Sequence, residues 1–96
     1  MTVDHREGAQ GKLAELTALL KSAADARTAA IVTECEALSR AIAAFHMEGI
    51  RFRIFNVDRL LRAHSSPPPD AAMLLEDVRK HLEAAGFHTR SHQAPT

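Results

Sequence analysis

The residues of this 96-residue chain best suited to chemistry lie between Ile50 and His64, where two phenylalanines are interleaved with four arginines. The segment reads IRFRIFNVDRLLRAH, and Asp58 is the only acid set against Arg51, Arg53, Arg59 and Arg62. If Ile50, Ile54, Val57 and Leu61 turn inward, then Arg51, Phe52, Phe55, Arg59 and Arg62 share the outer half of a helix. Arginine and aromatic side chains are enriched where proteins bind one another, because each combines a large contact area with a polar or π-facing handle. These five residues are therefore expected to contact a partner protein. The competing expectation is that Phe52 or Phe55 packs beneath a neighbouring helix or a dimer mate and leaves the arginines solvated.

The same arginines and stackable rings would also suit a single-stranded nucleic acid. Two features weigh against that alternative. Twelve basic and twelve acidic residues cancel, so the chain lacks the broad positive field from which phosphate binding gains. Three consecutive prolines, Pro67 to Pro69, also stand where a helix-turn-helix would need a tight turn.

Other chemistry-bearing residues point to less. His88 and His92 are four apart, the spacing of two ligands on one helical face, yet they come after a glycine and have no clear third ligand. His46, His64 and His81 fall near helix ends, where a cation complements the dipole. Cys35 is the sole cysteine, which excludes an internal disulfide and the four-cysteine zinc patterns. It lies on an apolar stripe between Glu34 and Glu36, and those acids would raise its pKa rather than activate it. There is no phosphate loop, no Ser/His/Asp arrangement and no converging carboxylate pair, so no enzyme, cofactor or metal is expected.

The elements that must position these residues are helical. Ala and Leu dominate the 46% of hydrophobic residues, and Trp and Tyr are absent; the balance suits helices and argues against disorder. Residues 1–9 read as a flexible arm. From residue 10 to 47 there is no proline, and Leu13, Leu16, Leu20, Ala24, Arg27, Ile31, Cys35, Leu38, Ile42 and Phe45 fall on one stripe. The spacing predicts one nearly straight helix of about 55 Å with little supercoil. A row of Leu19, Ala23, Ala26, Ala30, Ala37, Ala41 and Ala44 beside it would admit a close second neighbour, or it simply reflects alanine's helix propensity.

Gly49 is the expected C-cap of that helix. In residues 50–64 the Ile50, Phe52, Ile54 alternation could suit a strand. The Ile50, Ile54, Val57, Leu61 stripe and the lack of a second strand to pair with favour a helix. Residues 65–70 are a proline-rich linker, with Asp70 as the expected cap of the next helix. That third helix, over 71–85, buries Ala71, Leu74, Leu75, Val78, Leu82 and Ala85, and Gly86-Phe87 is a Schellman stop. Residues 88–96 form a polar tail.

The predicted fold is thus all-α: a long N-terminal helix followed by two short ones in a single domain. Two helices of about 23 Å cannot cover the rod, so Leu13, Leu16, Leu20, Ala24, Arg27 and Ile31 are expected to form a homodimer seam of coiled-coil type. A bend near residues 25–28 would remove that need, but ADARTAA offers no obvious break. The N-terminus lacks the apolar core of a signal peptide, and no run approaches the ~20 residues of a membrane span. The expectation is a cytoplasmic, non-catalytic interaction module (adaptor, inhibitor or small regulatory subunit) with no membrane partner.

Overall fold

A computed structural model describes residues 4–23, 25–87 and 89. The described residues form four helices and no strand: α1 (His5–Ala23), α2 (Ala26–Ala43), α3 (Met47–Ala63) and α4 (Ala71–Ala84). The rod expected over 10–47 is therefore two helices, and the expected arm contributes the first turn of α1. Asp4 starts that helix, its carboxylate accepting from the Glu7 N–H at 3.0 Å, and Ala9 is fully buried.

The break between α1 and α2 has a local cause. Asp25 adopts an extended backbone and accepts from the Thr28 N–H at 2.8 Å, while Thr28 Oγ1 accepts from the Asp25 N–H at 3.2 Å. This reciprocal capping box satisfies two amides that a continuous helix would have bonded internally. The signal in ADARTAA is Asp-x-x-Thr, a less familiar form than Ser/Thr-x-x-Glu. The bond from Thr28 holds the Asp25 carboxyl below its usual 3.8, with His64 assisting and desolvation opposing. A lowered carboxyl stabilises the fold above the ordinary pKa, and the contribution disappears as pH falls through the folded value. Asp25→Ala is expected to lower the melting temperature by several degrees at pH 7, and Asp25→Asn, which keeps an acceptor, by less. Thermal melts should show the Ala variant's deficit shrinking below about pH 4.

Successive helices run antiparallel. Gln10 and Ser39 exchange hydrogen bonds between α1 and α2, Arg53 of α3 meets Glu34 of α2, and Arg79 of α4 lies near Asp58 of α3. α1 packs most extensively on α4, whereas α3 and α4 touch least, so the ring of four is left ajar along that seam. Leu13, Leu16, Leu20, Ile31, Cys35, Leu38 and Ile42 all enter one core with the inward stripes of α3 and α4. Folding α1 back on α2 thus lets the chain cover its own leucines, each worth about 1.5–3 kcal/mol when buried. The length mismatch that called for a second copy does not arise. Of the other proposed seam residues, Arg27 is exposed and Ala24 lies outside the described residues.

The α2–α3 turn comes before Gly49 rather than at it. His46 caps α3 by accepting from the Gly49 N–H at 2.8 Å. Gly49 belongs to the first turn of α3, where an added Cβ would lie 2.6 Å from the His46 ring. Phe45 takes the left-handed position that ends α2, with φ 57°. The Phe45 N–H donates to Ile42 and the His46 N–H to Ala41, the paired bonds of a Schellman stop. Such a backbone costs a non-glycine residue about 1–2 kcal/mol. Two contacts of comparable size hold it: the Arg6 guanidinium lies 3.8 Å from the ring centroid, and Phe87 stacks at 6.4 Å. Phe45 is consequently 63% exposed rather than the last core residue of a long stripe.

α4 ends as its sequence implies. Gly86 has φ 100°, and the Phe87 N–H donates to Leu82 while the Gly86 N–H donates to Glu83. Ala85 is the exposed C-cap rather than a core residue. Asp70 makes no side-chain cap bond; the α4 start is instead organised by the turn in which the Ala71 N–H donates to Pro68. Of the expected polar tail only Thr89 is described: it is buried and its hydroxyl donates to Glu83 at 2.7 Å, while residue 88 and residues 90–96, and with them the His88/His92 pair, lie outside the described residues.

Candidate functional site

α3 buries Ile50, Ile54, Val57 and Leu61, the stripe its spacing requires. The five residues expected to bind a partner then divide between two surfaces. Phe52 and Arg59, two helical turns apart, point away from the core. Phe52 is 49% exposed, and Arg59 is exposed with no ion pair among the described residues. The Arg53 guanidinium lies over the Phe52 ring, 5.2 Å from its centroid, while also donating to Glu34 at 3.0 Å, so it covers part of one face of the ring. Asn56 donates to the same Glu34 carboxylate, tying this flank of α3 to α2.

Arg51, Phe55 and Arg62 occupy the other flank, on the side of Asp58. Arg51 donates to Glu48 at 3.0 Å, and Arg62 Nε lies 3.0 Å from Asp58 Oδ2. Phe55 is half-buried and engaged within the chain. Three of the four arginines of this segment therefore already face an acid. Ion pairing of this kind blunts the positive patch that the bare sequence displays.

The seam between α3 and α4 opens into a cleft of about 530 Å³ where it meets the linker. Leu61 and Leu75 form its apolar floor, and Pro67 to Pro69 form a stiff rim. His64 closes one end. Its Nδ1 accepts from the Ser66 N–H at 2.9 Å, which leaves the proton on Nε2, 3.4 Å from Asp25 Oδ2. Arg79 enters from α4 with a side chain only 7% exposed. Its Nη2 lies 3.8 Å from Asp58 and its Nη1 3.8 Å from Glu76, both too long for hydrogen bonds. Its Nε is buried without a partner.

Sequence reasoning does not single out Arg79. Its one signal is position: it comes directly after Val78 and four residues after Leu75, on the shoulder of the buried α4 stripe. A charged residue there must either reach past its neighbours to solvent or be enclosed. Which of these happens depends on how closely α3 approaches, and no local pattern encodes that.

The remaining candidates make no reactive site. Burial pushes the Cys35 thiol up to about 12, with Glu34 and Glu36 adding to the effect and Thr17 opposing it. His5 and His81 meet across α1 and α4 with Nδ1 atoms 3.3 Å apart. Among the described residues no group of three or more histidine, cysteine or acidic side chains is arranged to hold a metal ion. No helix among them is long and apolar enough to cross a membrane. Comparison of the chain with protein-family models, with curated proteins and with solved structures gives no match.

Proposed function

We propose that this chain is a non-catalytic helical interaction module that binds another protein through the outer face of α3, as an adaptor, inhibitor or small regulatory subunit. The half-exposed Phe52 carries the reading. A large ring held on a rigid helix, two turns from an arginine with no ion pair among the described residues, is the combination that concentrates binding energy in interfaces. Arg51, Phe55 and Arg62 border this face and would form its rim. Nothing in the reading requires a second copy, and the solution mass decides whether the 10.5 kDa chain acts singly or as a homodimer.

The test is a binding assay with a partner captured from the native host. Phe52→Ala is expected to cost about 2 kcal/mol, or roughly 30-fold in affinity. Arg59→Glu should weaken the same complex, with only modest loss between low and physiological salt. If the captured molecule is instead a nucleic acid, affinity will fall steeply with salt and Phe52→Ala will matter less than Arg59→Glu. An unchanged complex in both variants would exclude the α3 face.

A further inference from the structure

The α3–α4 cleft contains a guanidinium whose hydrogen-bonding capacity is unmet. Arg79 is enclosed, yet its Nε has no partner, and its Nη atoms stand 3.8 Å from the nearest carboxylates. A buried donor left without an acceptor is costly, and more so when it is charged. Asp58 does not satisfy it, because it stands 3.8 Å away, beyond hydrogen-bond reach, while Arg62 approaches the same oxygen to 3.0 Å.

The charge of the cleft restricts what could satisfy it. Arg62 and Arg79 are balanced by Asp58 and Glu76, so the lining is neutral when His64 is neutral. A phosphate dianion would approach two fixed acids for the sake of one available guanidinium. A carboxylate brings a single charge and two oxygens, which match the fork of an arginine edge. The rest of the cleft is apolar: Leu61, Leu75, Ala72 and the prolines offer a surface for hydrocarbon. Its volume of about 530 Å³ suits a small organic molecule.

We propose that the α3–α4 cleft binds a small amphipathic carboxylate, an aliphatic or aryl acid, with its carboxylate on Arg79 and its hydrocarbon body against Leu61, Leu75 and the Pro67–Pro69 rim. The site shares only Arg62 with the rim of the Phe52 face and does not depend on the protein-binding reading.

Octanoate and 4-phenylbutyrate are the probes, with binding read by calorimetric titration and by amide chemical shifts of the full chain. Both should bind saturably, with the largest shifts at Leu61, Ala72, Leu75 and Arg79. Arg79→Met removes the guanidinium while filling its volume, and is expected to weaken binding roughly tenfold or more without lowering the melting temperature. Ala72→Trp alters an exposed lining position, fills the cleft from its mouth, and should abolish binding even if Arg79→Met fails to fold. Phe52→Ala should leave octanoate binding unchanged. The proposal is overturned if neither acid binds, if 1-octanol or inorganic phosphate binds as well as octanoate, or if both cleft variants bind like the parent chain.

Discussion

Leu16→Ala is expected to lower the free energy of unfolding by about 2–5 kcal/mol, a large part of what a domain of this size possesses. Leu16 is fully buried in the core that α1 shares with the other helices. Truncation removes its transfer energy and leaves a cavity that the surrounding helices can only partly fill. Leu38→Ala, in α2, should cost a similar amount because Leu38 is equally buried. Chemical denaturation of both variants, repeated over a wide range of protein concentration, is the informative measurement. In a fold that covers its own leucines, neither the midpoint nor the deficit depends on concentration. If α1 and α2 formed one rod paired with a second copy, Leu16→Ala would dissociate the pair and its midpoint would rise with concentration. That dependence would restore the continuous helix and its dimer seam.

Native Cys35 should react with a thiol reagent at pH 8 at least about 1000-fold more slowly than the same cysteine in the unfolded chain. Two effects act together. Raising the thiol from 9.0 to about 12 makes the reactive thiolate about a thousandfold scarcer, since each pKa unit is tenfold in population. Full burial between α1 and α2 then denies access to whatever thiolate remains. Labelling should therefore proceed only through opening of the fold, and its rate should rise in parallel with global unfolding as denaturant is added. Leu16→Ala should accelerate it by the factor its lost stability predicts. Rapid labelling of the native chain, unaffected by denaturant, would mean that Cys35 is exposed and that the α1–α2 contact is not as described. Neither outcome alters the expectation that this thiol takes no part in catalysis.

Most of the helical stripes are legible in the sequence, although Arg27, Phe45 and Ala85 are exposed. Leu13, Leu16, Leu20, Ile31, Cys35, Leu38 and Ile42 fall on one apolar face by spacing and are all buried, as are the four inward residues of α3. The Gly86-Phe87 stop forms as its pattern implies, because only a residue tolerant of the left-handed region can hold that position. The break at Asp25 is harder to see because the stripe keeps its phase across it. Leu20 and Ile31 remain in helical register whether or not the chain turns between them, so periodicity alone cannot detect the turn. Phe45 departs from its expected place for a related reason. It completes the stripe by spacing, but it adopts a left-handed backbone held by Arg6 and Phe87, both distant in sequence.

The sequence by itself determined that the chain is helical, most of the apolar residues that face inward, and where α4 stops, since these depend on interactions within a few turns. Only the tertiary structure decided that α1 folds back on α2, that α3 and α4 stand apart, and that Arg79 is enclosed between them. The reason is energetic. A helix break sacrifices a few backbone hydrogen bonds, which the Asp25–Thr28 box restores locally, whereas folding back removes three leucines from water. That balance rests on contacts between residues dozens of positions apart, and no window of sequence contains both sides of it.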